Sequence, residues 1–113
     1  MTEIVWLLEE TALAVHSRQT SEHGGKPGVR DEGLLFSALA RPQNLAAYGD
    51  PPPDLAALAA SYAFGIARNH PFIDGNKHVA LVAARTFLLI NGADLEAAQE
   101  EKYVTFLRLA EGG

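Results

Sequence analysis

Apolar residues recur at helical spacing in several separate stretches, and glycine, proline and acidic residues mark the breaks between them. Val5, Leu8, Ala12 and Val15 fall on one face and Gly24-Gly25 follows. This predicts a first helix from near Thr2 or Glu3 to about His23, with GGKPG as a turn. Asp31 precedes EGLLFSALARP, a short amphipathic stretch that Pro42 should stop, and its carboxylate is placed to cap the open amides of the first turn. From Gln43 to Pro53 the chain holds Gly49-Asp50 and three successive prolines, which reads as an extended surface connector.

Asp54 caps a stronger pattern in which Leu55, Leu58, Ala59, Tyr62 and Ile66 share a face. That helix should end near Asn69, because Pro71 disfavours helical geometry in the residue before it. A polar interruption, HPFIDGNKH, follows from His70 to His78. Beyond it VALVAARTFLLI is apolar nearly all round, apart from Arg85 and Thr86, which predicts a central buried helix stopped at Asn91-Gly92. Asp94 opens a last helix whose stripe is Tyr103, Phe106, Leu107 and Ala110. No strand-like alternation competes and no repeat is present, so the expectation is an all-α fold, one domain over residues 1–113.

Composition narrows what such a domain does. No cysteine is present, which excludes disulfides, thiolate zinc sites and a cysteine nucleophile and is compatible with a cytoplasmic setting. The opening residues MTEIVWLLEE are acidic where a secretory signal would be basic, and no apolar run is long enough for a membrane span. A net charge of -5 argues against broad nucleic-acid binding, so any anion site must be local.

The polar interruption is the candidate for that site. Asp74-Gly75-Asn76-Lys77 stands at the start of the buried helix, where backbone amides leaving a glycine turn offer an anion cradle reinforced by the helix dipole. Lys77 would add a point charge to a phosphate, Asn76 would orient it, and Asp74 is placed to bind a divalent cation or accept a proton. His70 stands across the turn with an imidazole suited to proton transfer near neutrality. The same residues also suit a plain helix start, with Asp74 as cap, Gly75-Asn76 as turn, and Phe72 and Ile73 as core anchors. A third reading gathers His70, Asp74 and His78, four residues apart, as metal ligands, although Pro71 and Gly75 break the helix this would need. His16 and His23 read as ordinary surface or packing residues.

HPFIDGNK, from His70 to Lys77, resembles the signature of the Fic/Doc superfamily, and within it the Doc (death-on-curing) toxins. GVRDEGLLFSALARPQ (Gly28 to Gln43), LAASYAFGIARNH (Leu58 to His70) and FLLINGADL (Phe87 to Leu95) resemble Doc segments in the same order. The resemblance implies a compact Fic/Doc-type helical bundle around the buried helix that follows the loop. It implies a protein kinase that moves the γ-phosphate of ATP or another nucleoside triphosphate, with Mg2+, onto a hydroxyl of a translation factor of the elongation factor Tu class. On that basis His70, Asp74 and Arg68 are the catalytic candidates. Gly75, Asn76, Lys77 and His78 would hold the phosphates, and Asp74 would touch the magnesium. Arg68, two positions before the histidine, would stabilise the transferring phosphoryl group, or else serve as a plain cation at a helix end.

Some positions depart from the pattern. Fic enzymes that transfer AMP carry a second glycine and an arginine after the asparagine and another arginine three positions further on; this chain has Lys77, His78 and Leu81. Lys77 and Leu81 favour the Doc branch over the nucleotidyltransferases. His78 departs from both, since most relatives have arginine there, and histidine cannot reproduce its two-pronged grip on phosphate. Val82 stands where some Doc relatives have asparagine. The implied consequence is reduced catalytic power, and a binding-only domain is the non-enzyme alternative. The self-inhibitory pattern [ST]-x-x-x-E-[GN] of many Fic enzymes is missing, because Glu32-Gly33 and Glu111-Gly112 are preceded by Gly28 and Leu107 at the serine or threonine position. The resemblance implies instead a separate Phd-like antitoxin whose C-terminal segment folds on binding into a groove, with no nucleic acid or membrane as partner.

Overall fold

A computed structural model describes residues 3–93. They form four helices: α1 (Glu9–His23), α2 (Glu32–Tyr48), α3 (Leu55–Asn69) and α4 (Asn76–Ile90). α3 starts as its sequence dictates, with the Asp54 carboxylate accepting the Ala57 amide at 2.8 Å. It packs against α2 on one side and α4 on the other. Leu58, Ala59, Tyr62, Ala63 and Ile66 on its apolar face are completely buried, and each large side chain among them is worth about 1.5–3 kcal/mol in removal from water. Gly65 allows α2 to come close, since a Cβ there would lie 3.3 Å from the Cα and carbonyl oxygen of Ala38.

α2 opens at Asp31, whose carboxylate accepts the Leu34 amide at 3.0 Å, as the sequence predicts. It does not stop at Pro42 but runs on to Tyr48, with the proline ring buried inside the helix. A helical proline forfeits one bond, here to the Ala38 carbonyl. Packing of α2 on α3 at that same residue carries the helix across the break, so the connector shrinks to residues 49–53.

α1 begins at Glu9, not near Thr2, and residues 3–8 are not helical. Their hydrogen bonds are spent on other elements: the Val5 amide donates to Asn91 Oδ1, Asn91 Nδ2 donates back to the Val5 carbonyl, and the Leu7 amide donates to the Tyr62 hydroxyl. Trp6 stacks on Phe87 at 6.0 Å. Val5 and Leu8 are therefore not on a buried helical stripe, and remain 51% and 60% exposed.

α4 buries Val79, Ala80, Ala83, Ala84, Phe87 and Leu88, but Leu89 and Ile90 face outward, so it shares the centre with α3 and is not sheathed on every side. It ends at Asn91, as the sequence predicts. The helix expected from Asp94 onward lies outside the described residues. Among the described residues there is an isolated bridge between Val29 and Phe72 and no named strand, and no helix is long and apolar enough to cross a membrane. The fold is all-α.

Candidate active site

The polar interruption forms the link between α3 and α4. α3 closes with the His70 amide donating to the Ile66 carbonyl, and His70 then turns into the left-handed region, φ 50° and ψ 54°. Pro71 and Phe72 plunge into the core, while the His70, Ile73 and Asp74 side chains are exposed. The stretch from Gly28 to Asp31 lies alongside. The Arg30 and Asp31 amides both donate to the Pro71 carbonyl, and the Ile73 amide donates to the Gly28 carbonyl. The Arg30 side chain reaches back over the helix end, where Nε donates to the His70 carbonyl at 2.7 Å and Nη2 to the Asn69 carbonyl at 2.9 Å.

Asn76 is buried at the first turn of α4, and its carboxamide grips Phe72 in both directions: Oδ1 accepts the Phe72 amide and Nδ2 donates to the Phe72 carbonyl, each at 2.9 Å. This side chain braces the loop from within. Phe72 is also covered by His16, whose ring stacks on it at 4.2 Å and 12°. His16 Nε2 donates to the Asp74 carbonyl at 3.1 Å.

Asp74 is not the helix cap that the simplest reading made it. Gly75 occupies that position, at φ 75°, with no side chain capping the first turn. The open amides of α4 therefore begin beside Asp74 and Gly75, as the anion-cradle reading requires. The Asp74 carboxylate takes one amide on each oxygen, Gly75 on Oδ1 and Lys26 on Oδ2. Gly25 and Gly75 both take positive φ, and a Cβ on Gly25 would lie 2.9 Å from Asp74 Oδ2 and one on Gly75 2.6 Å from Gln19 Oε1, so those side chains would have to move to admit it. Each carboxylate oxygen keeps a further lone pair. One exposed carboxylate of this kind suits Mg2+, which takes most of its ligands from water and substrate phosphates.

Lys77 and His78 are exposed on the first turn of α4, and Arg68 is exposed on the last turn of α3. The His78 ring lies 5.1 Å from that of His23 at the end of α1. Nearby, the Arg18 guanidinium, hydrogen-bonded to Glu22 at 2.8 Å, holds the Glu22 carboxyl below its ordinary range, with His23 and His78 adding smaller pulls the same way. His70, Asp74 and His78 do not form a metal cluster; among the described residues no three histidine, aspartate, glutamate or cysteine side chains are gathered for one. A groove of about 700 Å³ between α2 and α3, lined by Leu45, Tyr48, Ala60 and Phe64 among others, shares no residue with the loop.

Sequence reasoning missed Arg30, and read His16 as an ordinary surface or packing residue without its bond to Asp74. His16 carried a signal, because it stands four residues after Ala12, and these two are the buried residues of α1. Arg30 carried none beyond its neighbourhood, since nothing local shows that it reaches the end of α3.

The chain belongs to the Fic/DOC family, whose model matches residues 6–88. Within it the chain is similar to the protein named Toxin Doc of Mycolicibacterium smegmatis, 50% identical over 74 residues, which are 66% of this chain and 57% of that protein. It is also similar to the protein named Protein kinase doc of Escherichia phage P1, 37% identical over 86 residues, or 76% of this chain and 68% of that protein. The matched stretch thus spans little more than half of the first relative's length.

Proposed function

We propose that this chain, working as one Fic/Doc-like domain in the cytoplasm, is the toxin of a toxin–antitoxin pair. Its activity is that of a phosphotransferase acting on a serine or threonine hydroxyl of a translation factor of the elongation factor Tu class. The observation that carries the reading is the loop itself: an exposed histidine and an exposed aspartate, fixed by backbone bonds, at the uncapped start of α4. The relatives' names, Toxin Doc and Protein kinase doc, support it.

The residues take the following parts. The open amides of α4 and the charge of Lys77 hold the phosphates of ATP or another nucleoside triphosphate. Asp74 would meet Mg2+ bound with the nucleotide, which would supply neutralisation of the phosphate charge. The acceptor hydroxyl oxygen forms a bond to the γ-phosphorus as the bond from that phosphorus to the β,γ-bridging oxygen breaks. Nucleoside diphosphate leaves, and the hydroxyl proton passes to the Asp74 carboxylate or the His70 imidazole. Arg68 and Lys77 stabilise the charge on the transferring group. Asn76, by contrast, acts through Phe72 on the shape of the loop. His78 in place of arginine attenuates the reaction, and a Phd-like antitoxin restrains the toxin.

Incubation of the chain with elongation factor Tu, ATP and Mg2+, followed by intact-mass analysis of the factor, tests the reading. A gain of one phosphate is expected, and it should vanish in Asp74→Ala and Lys77→Ala. A gain of one nucleotide would make the chain a nucleotidyltransferase, and no gain, with antitoxin binding retained, would make it a binding domain.

A further inference from the structure

Among the described residues, His70 is the only non-glycine residue with a positive φ. An L-residue rarely takes this conformation, and it persists only where the surroundings over-determine it. Those surroundings centre on Arg30, which touches three successive carbonyls. Its side chain donates to Asn69 and His70, and its own amide donates to Pro71. The guanidinium fork matches two neighbouring acceptors, a geometry that the single point charge of lysine cannot supply.

We infer that Arg30 is a positioning residue for phosphotransfer: by gripping the Asn69 and His70 carbonyls it holds His70 in its left-handed turn and so fixes the direction in which the imidazole leaves the chain. The inference rests on the phosphotransferase reading above. A plain helix-end cation would stabilise α3 without affecting the chemistry, whereas a positioning residue sets the rate at unchanged nucleotide affinity.

The experiment compares Arg30→Met, Arg30→Lys and, as a stability control, Asp54→Ala, which removes the cap at the opposite end of α3. Tm, kcat and the nucleotide KM are measured on the full chain, together with the 13Cα and 13Cβ shifts of His70. Arg30→Met should lower kcat by about 10- to 100-fold, the scale of a small misplacement of a reacting group. Its KM should stay within about twofold, Arg30→Lys should be intermediate, and the His70 shifts should leave the left-handed range. Asp54→Ala should lower Tm and keep the wild-type kcat. Wild-type kcat in Arg30→Met, or a kcat loss in Asp54→Ala matching its Tm loss, would overturn the inference. If the unmutated chain transfers no phosphate, the functional reading falls by itself and the His70 shifts decide: unchanged shifts in Arg30→Met then reject the role of Arg30.

Discussion

His16 lies flat against Phe72, ring centroids 4.2 Å apart and 12° from parallel, while its Nε2 donates to the carbonyl of Asp74. One side chain of α1 thus holds both the buried anchor of the loop and its exposed acid. Replacing it by leucine keeps an apolar body but leaves the Asp74 carbonyl without this donor. The expected cost is about 1–3 kcal/mol, read as a lower urea midpoint, together with slower phosphotransfer. Glutamine, which can still donate, should recover part of the rate.

Asn76→Ala removes both partners of the Phe72 peptide at once. A buried amide and a buried carbonyl then go unmet, at about 1–3 kcal/mol each. Stability by urea denaturation should fall by more than in His16→Leu. Asn76→Asp should not restore it, because a carboxylate accepts from the Phe72 amide but cannot donate to the carbonyl.

Tyr62 gives the fold an alkaline dependence. Burial raises its phenol above the ordinary value, and the Leu7 amide donating to its oxygen offsets part of that rise. A group whose folded pKa is raised contributes stability that is fully present below the unfolded value and is lost as pH climbs through the folded one. The unfolding free energy should therefore decline above pH about 10, where a free tyrosine ionises. Tyr62→Phe should be less stable at pH 7 by about 1 kcal/mol for the lost acceptor, and the gap should narrow as pH rises. Parallel curves for the two proteins would contradict this.

His78→Arg should raise phosphotransfer. Its position on the exposed first turn of α4 gives an arginine room to reach the phosphates with a two-pronged grip. A gain of about tenfold, the value of one added charge-assisted contact of roughly 1.4 kcal/mol, is the expected outcome in the intact-mass assay. Equal rates would show that His78 does not attenuate the chain.

What the sequence revealed was what is decided locally. The caps at Asp31 and Asp54, the end of α3 before Pro71 and the stop at Asn91 each depend on residues within a turn of one another. The start of α1 was illegible because Val5 and Leu7 are bonded to Asn91 and Tyr62, 86 and 55 residues away. Pro42 misled for a similar reason, since the helix crosses it on the strength of a neighbour that periodicity does not show. In the site, the loop residues stood out by type and spacing. Their supports did not, because Arg30 and His16 act across 40 and 58 residues. Asn76 was visible as a residue but not as a brace, since a carboxamide beside a glycine suits a ligand as well as a peptide.

Phe72 has its ring roofed by an imidazole from α1, its peptide clasped by a carboxamide from α4, and a bridge to Val29 at its side. The nine residues around it are therefore not a transplantable cassette. Spliced into a foreign helical hairpin they would leave behind Arg68, the His16 ring that covers Phe72 and the Arg30 grip on the end of α3. Such a graft would keep most of the side chains and lose the shape, because the loop holds its form only inside the helical frame that surrounds it.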